Sequence, residues 1–216
     1  GRFHDCNCCR IHRYQSERMK KLITIIVPAY NEEACIEELA RQLTAVFAVN
    51  DRYDFEALII ENGSVDRTWE ILQTINARDS RFKVIRLARN FRMDGGITAG
   101  LDYATGDAVV FMTADLQDPP ELITEFIKKW EEGYENIYMH VLKRRGTGPI
   151  RSFNSRAFYW LAGKLTDNRI PKNVSDYRLL DRKVYEAVRD MKERNRFVRG
   201  LVAWVGFKSI GVESER

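Results

Sequence analysis

Apolar and polar positions alternate in two rhythms from Lys21 onward. Residues 22–27 form a short, β-branched run ending at Pro28, the pattern of a buried strand. Over residues 32–49 the rhythm changes, with Ile36, Leu39, Leu43, Val46 and Phe47 recurring at helical spacing. The exchange then repeats down the chain. Residues 55–60 read as a second strand, followed by a helix from Thr68 that Asp66 caps. Residues 82–87 read as a third, with a helix over 95–104 behind it. Residues 108–112 make the fourth and most hydrophobic strand, after which Pro119-Pro120 opens a helix to Glu132 that Gly133 stops. A fifth strand covers 136–142. Strands alternating with helices predict an α/β fold with a mainly parallel sheet and helices on both faces.

Sheets of this kind bind ligands in the crevice at the carboxyl ends of their strands. A polar or acidic cluster follows each of the first four predicted strands. These are Tyr30-Asn31-Glu32, then Glu61 to Asp66, then Arg89 to Asp94, then Ala114-Asp115-Leu116-Gln117-Asp118. Any one cluster is explained by surface loops and helix caps, but four together favour a site. In the last, Asp115 and Gln117 stand two residues apart, so both side-chain oxygens can face one point. A hard cation, Mg²⁺ or Mn²⁺, takes oxygen ligands and completes its shell with substrate phosphates. One carboxylate and one amide are too weak a cage alone, so metal and diphosphate are expected to bind together. Asp118, just ahead of Pro119-Pro120, reads as a helix cap. The glycines at 95, 96 and 100 have the wrong spacing for a dinucleotide fingerprint and suggest a helix packed closely on the sheet.

Composition narrows the class. At 216 residues with 44% hydrophobic content the chain can build one sizeable α/β core. The formal charge is +4, and Arg2, Arg10, Arg13 and Arg18 concentrate much of it ahead of Met19. The remainder is nearly neutral, which gives no electrostatic case for nucleic-acid binding. Cys6, Cys8 and Cys9, with His4 and His12, superficially resemble a zinc cluster, but they crowd too closely for one tetrahedron. Residues 1–18 therefore read as a flexible leader, and 19–216 as a single domain. Cys35 on a predicted helix suggests a reducing compartment. No signal peptide and no apolar run of spanning length is present in the sequence.

Three segments together resemble the family 2 glycosyltransferases of the GT-A fold. They are Ile26-Val27-Pro28-Ala29-Tyr30-Asn31-Glu32, the Asn62-Gly63-Ser64-Val65-Asp66 turn, and Ala114-Asp115-Leu116-Gln117-Asp118-Pro119-Pro120-Glu121. Asn90-Phe91, Ala99-Gly100-Leu101-Asp102, Asp176-Tyr177-Arg178-Leu179 and Glu193-Arg194-Asn195-Arg196-Phe197 look like the branch related to dolichyl- and undecaprenyl-phosphate glycosyltransferases. The resemblance implies a Rossmann-like, three-layer α/β/α fold and an inverting transfer of sugar from a UDP- or GDP-sugar, with Mg²⁺ or Mn²⁺. Carried over by residue, it puts Pro28, Tyr30 and Glu32 at the nucleotide base and ribose. Glu61 and Asn62 stand where the family usually has two aspartates. Thr113, Ala114 and Asp115 occupy the aspartate-x-aspartate signature, and Asp94 joins them on the donor side. Asp115 and Gln117 would hold the metal, and Asp115, Asp176, Arg178 and Arg196 form the expected catalytic group. Three positions depart from the pattern. Asn62 lacks a carboxylate, Met93 replaces the usual lysine, with Arg92 beside it as a substitute, and Thr113 lacks the signature's first acid.

The second half of the chain turns basic and aromatic. A helix over 151–165 would carry Phe153, Phe158, Tyr159 and Trp160 beside Arg151, Arg156 and Lys164, the composition of an interfacial helix near anionic lipid. A solvated basic edge explains the same pattern. The resemblance implies an acceptor phosphate held by Arg144, Arg151 and Ser155, with residues 195–205 repeating the theme. In membrane-bound relatives two transmembrane helices follow; this sequence reads as a soluble variant or one cut at the membrane boundary. The expected acceptor is a polyprenyl (undecaprenyl) phosphate, in cell-envelope glycan synthesis at the cytoplasmic face of the plasma membrane. Two alternatives stay open. One is transfer to a saccharide hydroxyl, with Asp176 as general base unless it is a structural ion pair; the other is a nucleotide-sugar-binding protein without turnover.

Overall fold

The first apolar run becomes β1 (Leu22–Ala29), and every residue from Ile23 onward is buried because helices cover the sheet on both faces. The computed structural model describes residues 20–141, 174–193 and 196–214. Within them lie β2 (Asp54–Glu61), β3 (Phe82–Arg86), β4 (Ala108–Phe111), β5 (Asn136–Val141), β6 (Val174–Asp181) and β7 (Ser209–Ser214). They form one sheet in the order β3-β2-β1-β4-β6-β5-β7. The first four run parallel, with Ala29 level with Glu61 and Ile26 level with Phe111. β6 lies antiparallel between β4 and β5, and β7 pairs parallel to β5 at the far edge.

Among the described residues six helices flank the sheet: α1 (Ile36–Val49), α2 (Thr68–Arg78), α3 (Arg92–Tyr103), α4 (Leu122–Glu131), α5 (Arg182–Arg189) and α6 (Val198–Trp204). On one face Leu39, Leu43, Leu72 and Phe126 from α1, α2 and α4 pack against Ile25, Ile59 and Val110. On the other, Ile97, Leu101, Val184 and Val202 from α3, α5 and α6 pack against Ile26, Ile60 and Val109. The result is the expected three layers. Among the described residues no helix is long and apolar enough to cross a membrane.

The helix boundaries shift for local reasons. α1 starts at Ile36 rather than 32, because the amides of Glu32 and Glu33 bond the Thr68 hydroxyl and the Asp66 carboxylate at 2.8 and 3.2 Å. α3 starts three residues earlier than expected, with the Arg92 amide bonded to Asn90 Oδ1 at 2.7 Å. The close packing expected of its glycines is present: a Cβ at Gly96 would lie 2.7 Å from Pro28 Cβ, and one at Gly100 2.3 Å from Ile26 Cγ2. Asp66 lies one residue outside the N-cap of α2, Arg67, which has no side-chain cap, but its Oδ1 accepts from the Thr68 amide at 3.0 Å. β6 and β7 were not legible as strands. β6 interrupts its apolar positions with Asp176 and Arg178, and β7 is an edge strand whose inward Ile210 and Val212 are only partly buried against the core.

Candidate functional site

The four parallel strands end at one edge of the sheet, and each is followed by one residue in the left-handed region. These are Asn31 (φ 56) after β1, Gly63 (φ 75) after β2, Arg92 (φ 63) after β3 and Leu116 (φ 59) after β4. The three that are not glycine are the only such residues among those described. A backbone of this kind costs about 1–3 kcal/mol per residue and persists where surrounding contacts over-determine it, typically at ligand-binding loops.

Side chains bind these loops to one another. Asn31 Oδ1 accepts from the Val65 amide and Ser64 Oγ from the Asn31 amide, both at 3.0 Å. Glu61 is fully buried; Oε1 accepts from the Ser64 amide, and Oε2 lies 3.0 Å from Arg86 Nε. Asn62 is 3% exposed, its Oδ1 accepting from the Phe91 amide at 3.0 Å and its Nδ2 donating to Arg92 O at 3.1 Å. Pro28 and Ala114 are buried as well. Of the residues expected at the donor, then, Tyr30, Glu32, Asp94, Thr113 and Asp115 keep accessible surface. Glu61, Asn62, Pro28 and Ala114 shape it from below.

The loop after β4 is built around Asp118. The sequence suggested a helix cap, but α4 has no side-chain cap. Asp118 instead turns back into the loop, its Oδ2 accepting from the Thr113 amide at 3.1 Å. The Thr113 hydroxyl lies 2.8 Å from the same oxygen and 2.6 Å from Asp115 Oδ1. Asp115 Oδ1 also takes the Gln117 amide at 3.1 Å, and among the described residues nothing hydrogen-bonds to Oδ2. Gln117 is exposed beside it. Burial, then the charges of Asp115 and Asp66, hold the Glu32 carboxyl above its ordinary range. An open carboxylate oxygen, a nearby amide and surrounding negative charge fit a hard divalent cation that takes its other ligands from a substrate. No three His, Cys, Asp or Glu among the described residues gather as a metal cage.

Because β6 is antiparallel, its first residues reach the same edge. Asp176 is gripped by Arg199 of α6, with Nε 2.8 Å from Oδ1 and Nη2 2.6 Å from Oδ2. Asp94 Oδ1 accepts from the Val198 amide at 3.0 Å, and burial above all raises its carboxyl, with Asp176 adding to the effect. Arg178 is buried beneath, bonding the Ser175 and Asp176 carbonyls, and burial lowers it to about 10. Arg196 Nη2 donates to the carbonyls of Arg189 (2.9 Å) and Met191, closing the end of α5. Arg144, Arg151 and Ser155 lie outside the described residues, as do residues 1–18 and the helix expected over 151–165. Sequence reasoning did not single out Arg199 as a partner for Asp176, and it passed over Ser64 and Asn90 as loop fasteners. The acid–base pair is far apart in sequence, and no periodicity connects it.

Residues 24–189 match the model of Glycosyl transferase family 2. The uncharacterized glycosyltransferase YkcC of Bacillus subtilis (strain 168) is 47% identical over 193 residues, covering 89% of this chain and 59% of that protein. The prophage bactoprenol glucosyl transferase homolog of Escherichia coli (strain K12) is 35% identical over 194 residues, covering 90% and 63% respectively. The chain thus spans about three fifths of the length of these relatives. Among solved structures, a mannosyltransferase from Pyrobaculum calidifontis in complex with GDP-Man and Mn²⁺ superposes with a TM-score of 0.60 at 17% identity, covering 91% of this chain and 56% of that one. Its likeness extends to the fold, which is GT-A.

Proposed function

The chain belongs to glycosyl transferase family 2, and from that premise we propose a metal-dependent, inverting transferase that moves a sugar from a UDP- or GDP-sugar to a polyprenyl phosphate. The carrying observation is Asp115, with one carboxylate oxygen closed by two hydrogen bonds and the other open among the described residues, in a corner made acidic by Glu32 and Asp66. A diphosphate entering such a corner requires a cation between the charges. Bound there by Asp115 and Gln117, Mg²⁺ or Mn²⁺ would stabilise the departing nucleoside diphosphate. Tyr30, 40% exposed, offers a ring face to the base, and Glu32 and Thr113 offer oxygens to ribose. Glu61, Asn62, Pro28 and Ala114 set the shape of these loops, and Asp94 fastens α6 to them.

Two observations favour a lipid phosphate over a sugar hydroxyl. A phosphate monoester is largely dianionic near neutrality, with a second pKa of about 6, and needs no base. A hydroxyl needs one, and both oxygens of Asp176 are engaged by Arg199. A relative named as a bactoprenol glucosyl transferase homolog agrees with that choice. Arg178 and Arg196 act through the backbone they hold. Arg144, Arg151 and Ser155 are proposed to clamp the acceptor phosphate, at the cytoplasmic face of the membrane and in cell-envelope glycan synthesis.

Incubation with UDP- and GDP-sugars, Mn²⁺ and undecaprenyl phosphate should yield a glycolipid. Asp115→Ala should abolish it. Arg144→Ala and Arg151→Ala should sharply raise the acceptor requirement, while Asp176→Asn, which keeps one oxygen for Arg199, stays active. Full turnover in chelator would remove the metal from the proposal. Transfer to saccharide alone, with a loss on the order of a hundredfold or more in Asp176→Asn, would replace the acceptor.

A further inference from the structure

Thr113 stands between two carboxylates, 2.6 Å from Asp115 Oδ1 and 2.8 Å from Asp118 Oδ2 through the same hydroxyl. A hydroxyl has one proton to donate, and ionised carboxylates only accept. Asp118 Oδ2 already receives the Thr113 amide at 3.1 Å, so it is supplied whichever way the hydroxyl turns. The Asp115 contact is the shorter, and charge-assisted bonds at that length are the strong ones. The proton therefore belongs on the Asp115 side. Leu116, at φ 59, brings the Gln117 amide round to the same oxygen at 3.1 Å. Oδ1 is filled from two directions and the carboxylate cannot rotate freely. Asp118, 1% exposed, anchors the assembly through the backbone of Thr113.

We infer that Thr113 is a positioning residue: its hydroxyl bond to Asp115 holds the other carboxylate oxygen, already oriented, for a divalent cation shared with a nucleoside diphosphate. The inference rests on the metal assignment of Asp115. It gives the first position of the signature a task that needs a neutral donor rather than a charge.

The test is Mn²⁺ affinity in the presence of UDP or of GDP, read from the paramagnetic resonance signal of free Mn²⁺. Thr113→Val keeps the shape and removes the hydroxyl; it should weaken Mn²⁺ about ten- to a hundredfold, the range in which partners of metal ligands act. Thr113→Ser keeps the hydroxyl and should stay within about threefold of the unaltered protein. If Thr113→Val does not fold, Thr113→Ala makes the same comparison. Asp115→Ala is the reference. Loss of Mn²⁺ in Asp115→Ala with unchanged affinity in Thr113→Val overturns the positioning role alone. Unchanged affinity in Asp115→Ala overturns the metal assignment beneath it. Equal losses in the valine and serine variants would trace the effect to shape and also overturn the role.

Discussion

Asn62 uses both ends of its amide, accepting from the Phe91 amide and donating to the Arg92 carbonyl. An aspartate, the usual residue of the family here, can only accept. It would face the Arg92 carbonyl with a second acceptor at a site 3% exposed. Asn62→Asp should therefore cost about 1–3 kcal/mol, the penalty of a buried polar group left unpaired, as measured by chemical denaturation. Unchanged stability would mean that the loop relaxes to admit the acid. From sequence, Asn62 read as a lost carboxylate; in the structure it is a fitted amide. Asp115, Gln117 and Thr113 were legible because their neighbours in sequence are also their neighbours in space. Arg199 was not, since its partner Asp176 lies on a strand that only the folded sheet brings near.

At the scale of the element, α3 shows tertiary contact overriding propensity. Glycine is a poor helix residue, yet Gly96 and Gly100 sit inside α3 because it lies directly on β1. A Cβ at Gly100 would meet Ile26 Cγ2 at 2.3 Å and Cγ1 at 3.1 Å. Gly100→Ala gains about 0.5–1 kcal/mol of helix propensity, but overpacking of a closed core costs about 1–3 kcal/mol. A net loss of stability is expected. Combination with Ile26→Ala should cost less than the sum of the two single changes, because the second removes the obstruction. Additive losses in urea denaturation would place the strain elsewhere. The helix itself was readable from its period, and its intimacy with the sheet from its glycines. β6 was not readable, because charged residues needed at the edge break the apolar run that marks a strand.

For the whole molecule, the alternation of runs announced three layers but not the order of the strands. The order in space differs from the order in the chain: β1 lies between β2 and β4, and among the described strands β5 pairs with β6 and β7. Long-range pairings of this kind form late, because the intervening chain must first be closed. In refolding followed by pulsed hydrogen exchange, amides of β2 and β3, which pair 25 residues apart (Ala57 with Phe82), should gain protection before those of β4, whose partner in β1 lies 85 residues away (Ile23 with Ala108). Simultaneous protection would argue for one cooperative unit. The insertion of β6 between β4 and β5 has a consequence for the growing polypeptide. A chain halted on the ribosome after Val141 would already possess Glu32, Asp66 and Asp115, but β5 would have no neighbour, and Asp176 and Arg199 would not yet exist. Synthesis would thus assemble the corner around Asp115 before the strand that carries Asp176 has emerged.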